Sequence, residues 1–241
     1  MSDIYKRLCE QFHRICAEHD LLGEAVDIHA RVLSSEEAIG SPEGDDFPLQ
    51  KGKERLMEAR FGKGRGQAFT DRFGDFSGRL DAILAMRLAN NYRRAIFVSA
   101  MNAVLHHLDL VSGTIHCRDE GPTVCAGHLA DHIRAVYGQP RITQIGYQPK
   151  MVERLQDDFP FRIVDMDPDN IGSFKKQVRI EGPKESRAAC EWADLLLVTG
   201  TTLVNDTIQD FLTGKPVLFY GTSIAGAAEL MGWPRYCYAS T

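Results

Sequence analysis

Apolar residues change their spacing partway along this chain, and the change predicts two kinds of structure. Over residues 2–18, Ile4, Leu8, Phe12 and Ile15 recur at helical spacing, with Ser2 or Asp3 placed to cap the helix. Residues 25–33, AVDIHARVL, alternate apolar and polar positions as a half-buried strand does. SSEEAIGSPEGDDFPLQKGKE is rich in turn formers and charge and reads as a long exposed loop, a kind that is uncommon unless functional or disordered. LMEARFGKGRGQAFTD predicts a strand, a glycine turn and a second strand. Two helices follow between 76 and 110. The first carries Leu80, Ile83, Leu84 and Met86. The second, YRRAIFVSAMNAVLHHLDL, is apolar around most of its circumference and predicts a central buried helix.

After a helix expected at 122–137, short apolar runs alternate with helical segments. RITQIGY, FRIVDMD, DLLLVTG and KPVLFYG read as strands, and RYCYAS as a last one. PKMVERLQDDF, ESRAACEWA, VNDTIQDFLTG and IAGAAELMG read as the helices between and after them. This alternation predicts parallel βαβ units with helices on both faces. The expected fold class is therefore α/β: a Rossmann-like parallel sheet in a C-terminal domain, 111–241, preceded by a small α+β domain, 1–110.

In such a sheet a ligand sits beyond the carboxyl ends of the strands, where strand order reverses. Those ends are Gly146-Tyr147-Gln148-Pro149, Asp165-Met166-Asp167, Thr199-Gly200-Thr201-Thr202 and Gly221-Thr222-Ser223. Glycine lets backbone approach a ligand, and helix N-termini favour an anion. A dinucleotide fingerprint is missing, because Gly146 stands alone, but Asp165 occupies the place of a ribose-binding acid. Asp165, Asp167 and Asp169 resemble the start of a calcium loop, yet position 176 is Lys where the closing Glu belongs.

Between the halves, TIHCRDEGPTVCAGHLADH gathers His116, Cys117, Cys125, His128 and His132. Thiolate and imidazole are ligands of soft and borderline metals. On a helix starting near Pro122, Cys125, His128 and His132 share one face. The spacing matches no zinc motif, and buried cysteine also serves as a small hydrophobe. Cys9, Cys16 and Cys190 read as packing residues, and Cys237 joins a site only if the last strand carries it there. In the first half, Lys53 and Glu54 form a candidate catalytic pair on a loop able to close over an anionic ligand. Asn102, in an apolar helix, belongs either to a buried network or to the site. Gly62, Gly64 and Gly66 suit a glycine-rich hairpin better than a phosphate loop.

Composition narrows the field. The 241 residues are 44% hydrophobic and carry a net charge of −5, without the clustered basic residues that nucleic-acid binding needs. No apolar run reaches the length of a membrane span, and MSDIYKRLCEQFHRICAEHD is too charged for a signal peptide. A cytoplasmic protein with six reduced cysteines is expected, binding neither nucleic acid nor membrane. A homodimer is the expected assembly, on the sole ground that symmetric dimers are commonest.

The stretches TIHCRDEGPTVCA, IGYQP, DMDPDNIG, LLLVTGTTLVNDTI and FYGTSIAGAAELMG together resemble a family named for heavy-metal chelation. Its members are similar to an enolase-type N-terminal domain fused to a Rossmann-like domain. The resemblance is densest from Ala95 to Gly232. It implies a ligand site in the cleft between the domains, with Gly146, Thr201, Thr202, Asn205, Thr222 and Ser223 on one side and His116 and Cys117 from the linking segment. The first expectation is thus a transition metal, or a metal-containing or anionic small molecule, held in an interdomain cleft. The metal ligands would be His116, Cys117, Cys125 and His128, and the remaining site would comprise Asn102, Gly146, Gln148, Asp165, Thr201, Thr202, Asn205, Thr222 and Ser223. The alternatives are an enzyme acting on a small anionic or nucleoside-containing substrate, and an assembly protein without catalysis.

Overall fold

The computed structural model describes residues 2–22, the backbone of 31–32, and residues 54–241. The amphipathic start is helix α1, Asp3–Glu18, which buries Ile4, Tyr5, Leu8, Phe12 and Cys16. Ser2 occupies the N-cap position but makes no capping bond, because its hydroxyl donates instead to Asp206 at 2.8 Å. Strands β1 (Arg31–Val32), β2 (Arg55–Phe61) and β3 (Gly64–Thr70) form an antiparallel sheet in that order. The expected strand at 25–33 is described only at Arg31–Val32, and the long loop falls outside the described residues apart from Glu54.

A short helix α2, Leu80–Leu84, leads to α3, Asn91–His107, whose first turn is capped by the Asn90 side chain accepting from Arg93 N at 2.9 Å. Every residue of α3 from Arg94 to Leu105 is buried, as its apolar circumference predicts. The glycines of β3 explain how close this helix comes. A Cβ on Gly66 would stand 2.2 Å from Ala103 N and 2.4 Å from Ser99 O, so main chain rests on main chain. No phosphate cradle is formed there; the segment is a hairpin packed under a helix.

The rest is α4 (Gly121–Tyr137), β4 (Ile142–Ile145), α5 (Pro149–Leu155), β5 (Phe161–Val164), β6 (Phe174–Lys175), β7 (Val178–Glu181), α6 (Ser186–Trp192), β8 (Leu195–Thr199), α7 (Thr201–Val204), a 3-10 turn at Ile208–Phe211, β9 (Val217–Tyr220), α8 (Ala225–Met231) and β10 (Arg235–Tyr236). The seven strands run β10-β9-β8-β4-β5-β7-β6, parallel except for β6 against β7. The protein is a mixed α/β fold built on a mostly parallel sheet.

Two features depart from expectation. The β6–β7 hairpin was not anticipated, since its strands are short and charged. The helix expected over VNDTIQDFLTG is broken: α7 ends at Val204, and Asp206 takes a φ of 59° before the 3-10 turn.

One hydrophobic cluster runs without interruption from α1 and the small sheet through α3 to Ile145, Val164, Leu196, Val198 and Phe219 of the large sheet. A second fills the opposite face, between Cys125, Leu129 and Ile133 of α4 and Ile142, Leu195, Leu197 and Tyr220. Strand order reverses between β4 and β8, which places the switch point beside Gly146 and Thr199. Among the described residues no helix is long and apolar enough to cross a membrane.

Candidate functional site

The strand-end turns do share an edge, and the small sheet lies over part of it. Gly146 follows β4 with a φ of 90°, and a Cβ there would stand 2.7 Å from the Thr199 methyl. The Tyr220 hydroxyl donates to Gly146 O at 2.8 Å, so β9 reaches across β8 to support the turn. Gln148 caps α5 by accepting from Met151 N at 2.6 Å. Asp165 accepts from Tyr147 N at 2.6 Å and from Asp167 N at 2.7 Å, locking two strand ends together. A carboxylate so engaged holds the loops, which weakens its reading as a ribose acceptor. Thr202 donates to Thr199 O at 2.6 Å, and the Thr199 and Thr201 hydroxyls lie 3.2 Å apart.

At the β9 end the turn is closed by the N-terminal part. Ser223 Oγ accepts from Phe69 N at 2.9 Å. The Asn102 amide donates to Gln67 O at 3.0 Å and Thr222 O at 3.1 Å, and its oxygen accepts from Gly226 N at 2.8 Å. Asn102, Thr222 and Ser223 are fully or almost fully buried, so they form a joint between the two sheets. Thr222 Oγ1 has no hydrogen-bond partner among the described residues. Asn205, at the far end of α7, accepts from Asn91, which also donates to Asp71 at 2.6 Å.

Electrostatically the edge is the reverse of the anion site expected from helix N-termini. Glu54, just before β2, is half-buried. Burial, then the nearby Asp165, Asp71 and Asp167, push its carboxyl from an ordinary 4.5 up to about 7. Among the described residues that carboxylate has no hydrogen-bonded or ion-paired partner. Like charges crowd together here because β2 and β3 pair Arg55 with Thr70, which brings Glu54 and Asp71 to the same end of the hairpin, facing the β5 turn. Sequence reasoning missed Asp71 and named Asp167 only as part of a strand end and of a calcium-loop pattern that fails; the signal for Asp71 was its place one residue beyond a strand that pairs with the one after Glu54. Lys53 lies outside the described residues.

The His/Cys segment does not assemble as expected. His116 is drawn toward β3: its backbone N–H donates to Gln67 Oε1 at 2.7 Å and its ring meets Phe69 edge-on at 5.3 Å. His128 and His132 lie tilted against Tyr238 and Tyr236, with centroids 4.2 Å and 5.1 Å apart. Cys117 turns the other way from His116, against Gly121 and the chain near Ala239. Burial and the neighbouring Cys237 and Cys125 push its thiol up to about 12. Cys125 is raised by burial and by Cys237. Cys237 is therefore a neighbour of Cys117 and Cys125, while the rings of His116 and His128 lie against Phe69 and Tyr238. Among the described residues no group of three or more His, Cys, Asp or Glu side chains is arranged to hold a metal ion. A hollow of about 350 Å³ lined by Tyr137, Val217, Phe219 and Trp233 opens at the amino ends of the strands, far from this chemistry and largely apolar.

The segment that carries most of these strand-end turns is also the one with relatives. Residues 129–223 match the DUF364 family model. That family is described as "Putative heavy-metal chelation". The matched segment runs from within α4 to Ser223 and so contains Gly146, Gln148, Asp165, Thr201, Thr202, Asn205 and Thr222. Two DUF364 proteins of known structure and with unknown function are similar to this chain, each 14% identical with a TM-score of 0.49. The one from Desulfitobacterium hafniense aligns over 73% of this chain and 72% of its own. The one from Pyrococcus horikoshii aligns over 90% and 79%. Neither comparison describes an enolase-type N-terminal domain. No curated protein matches the chain.

Proposed function

We propose that the protein binds a transition metal ion carried in a small cationic complex, in the crevice between the end of the small sheet and the switch point of the large one. The observation that carries this reading is the Glu54 carboxyl, raised to about 7 with Asp165, Asp71 and Asp167 around it. Carboxylates crowded around a half-buried Glu54 attract a cation, and a cation that binds there displaces the Glu54 proton. Because no complete cage of protein ligands is present among the described residues, the ion brings some of its own donors, as waters or as a chelating molecule. Gly146, Gln148, Thr201, Thr202 and Asn205 supply backbone, amide and hydroxyl groups at the rim. The family's description as heavy-metal chelators supports the same class of ligand.

The test is calorimetric titration of the full chain with Zn(II), Ni(II) and Co(II), each free and as its citrate complex. Binding is expected to strengthen as pH rises from 6 to 8, with proton release, and Glu54→Gln is expected to remove both the pH dependence and most of the affinity. Equal binding by wild type and Glu54→Gln overturns the reading.

The same raised carboxyl favours a second reading, an enzyme using Glu54 as a general acid or base, since a pKa near the working pH is what that role requires. It predicts turnover of a small donor-rich substrate that Glu54→Gln abolishes without loss of binding.

A further inference from the structure

The outward face of α4 is not composed as a solvated helix face is. Its inner side, with Cys125, Leu129 and Ile133, packs on the large sheet. The opposite stripe carries Val124, Gly127, His128, Asp131 and Ala135, all exposed and three or four residues apart. Val124 is 46% exposed, and Tyr238, whose ring lies 4.2 Å from that of His128, is 58% exposed. Apolar and aromatic side chains left in solvent along one face mark a surface that meets a partner.

Gly127 points the same way. It lies mid-helix, where glycine costs about 1 kcal/mol relative to alanine. A Cβ there would meet nothing within 4 Å among the described residues, so no described neighbour requires its absence. At Gly66 the missing Cβ admits α3; at Gly127 the bare backbone is turned outward, where it admits a second helix. The charges identify that helix. Asp131, 74% exposed, follows His128 by three residues, and Arg134, which contacts it at 2.9 Å, also holds Asp158 at 2.7 Å, leaving the Asp131 carboxylate open to another cation. In two α4 helices laid antiparallel across a twofold axis, setting His128 opposite Asp131 of the other copy also sets Asp131 opposite His128. The same register puts Val124 opposite Ala135. The face complements itself.

We propose that α4 is the contact surface between two copies of this chain, packed antiparallel across a twofold axis with Gly127 near the crossing and Tyr238 along the flank. A twofold contact of this kind uses the same patch on both copies. Its size sets its strength. The 17 residues of α4 span about 25 Å at a helix width of about 10 Å, so the face is smaller than the roughly 800 Å² that each partner buries in a standard complex. The dimer is therefore reversible, forming as concentration rises rather than being required for folding. This inference concerns a surface apart from the crevice and does not rest on the crevice reading.

The experiment is sedimentation velocity of the full chain from micromolar to near-millimolar concentration, with thermal unfolding of each variant. Wild type is expected to pass from monomer to dimer across that range. Gly127→Ala fills open space in the monomer, so it is expected to raise the Tm of the dilute protein while weakening dimerisation, and Gly127→Leu to abolish the dimer. His128→Glu and Asp131→Lys each set like charges face to face across the axis and are each expected to weaken the dimer about tenfold. The two substitutions combined are expected to restore it, because each exchanged charge again meets its opposite. Wild type that stays monomeric at near-millimolar concentration, a dimer untouched by Gly127→Leu, or a combined variant no stronger than the single ones overturns the proposal.

Discussion

Ser223 Oγ accepts the backbone N–H of Phe69 at 2.9 Å, joining the turn after β9 to the last strand of the small sheet across 154 residues of chain. A hydroxyl committed to that bond, on a side chain almost wholly buried, holds architecture. Ser223→Ala leaves a half-buried amide without its acceptor, at a cost of about 1–3 kcal/mol. For a chain of this size that lowers Tm by several degrees. Thermal unfolding measures the loss, and calorimetry with the crevice ligands is expected to show affinity within about twofold of wild type; a variant of normal stability that no longer binds would return Ser223 to the ligand set.

Asn102 makes three hydrogen bonds to groups on β3, the β9 turn and α8. Replacing it by Ala strands two carbonyls and an amide in the interior, so a destabilisation on the order of 3 kcal/mol is expected in denaturant titration. Replacement by Asp keeps an acceptor for Gly226 N but loses both donors and buries a charge, so it is expected to be worse than Ala. If Ala and Asp variants unfold at the wild-type denaturant concentration, the joint has been misread.

Much of the architecture was legible because it depends on periodicity. The apolar girth of α3 announced a buried helix, and the alternation after residue 122 announced the parallel sheet, because both patterns follow from which faces meet water. The β6–β7 hairpin escaped because β6 is only two residues long, with Phe174 exposed and Lys175 partly buried, and so carries no alternating burial signal. The helix after β8 was overextended because nothing in NDT marks the left-handed Asp206. The site was legible in part. Strand-end corners are fixed by topology, so the position of Gly146, Asp165 and Thr201 just beyond the carboxyl ends of β4, β5 and β8 could be read from the sequence. Partnership is not fixed by topology. Glu54 with Asp71, and Cys237 with Cys117 and Cys125, meet only through long-range pairing, and neighbours in sequence such as His116 and Cys117 part company because each follows a different surface.

Glu54 makes stability depend on pH in a direction opposite to that of a salt-bridged carboxylate. Its folded value, about 7, lies above its ordinary 4.5. The favourable contribution of the protonated form is complete below 4.5 and disappears as pH climbs through 7. Glu54→Gln, neutral throughout, is expected to unfold at a higher Tm than wild type at pH 8 and at nearly the same Tm at pH 4.5. A difference that does not vary with pH between these limits counts against the crowding of carboxylates around Glu54.

Gly66 faces the α3 main chain so closely that any side chain must push the helix off the strand. Gly66→Ala is expected to cost about 3 kcal/mol or more, the upper range for overpacking, because the obstruction is backbone and cannot rotate aside. Circular dichroism during urea unfolding gives the number; a shift under about 0.5 kcal/mol would mean that helix and strand have room to separate.

Since a single apolar cluster threads from α1 to Phe219 with α3 sheathed on every side, the chain has no natural seam between residues 110 and 111. A protein split there would leave the first fragment holding a greasy spindle with one flank bare and the second a sheet missing its lining. Each piece alone is expected to aggregate, while the two produced together should find one another and refold as a pair.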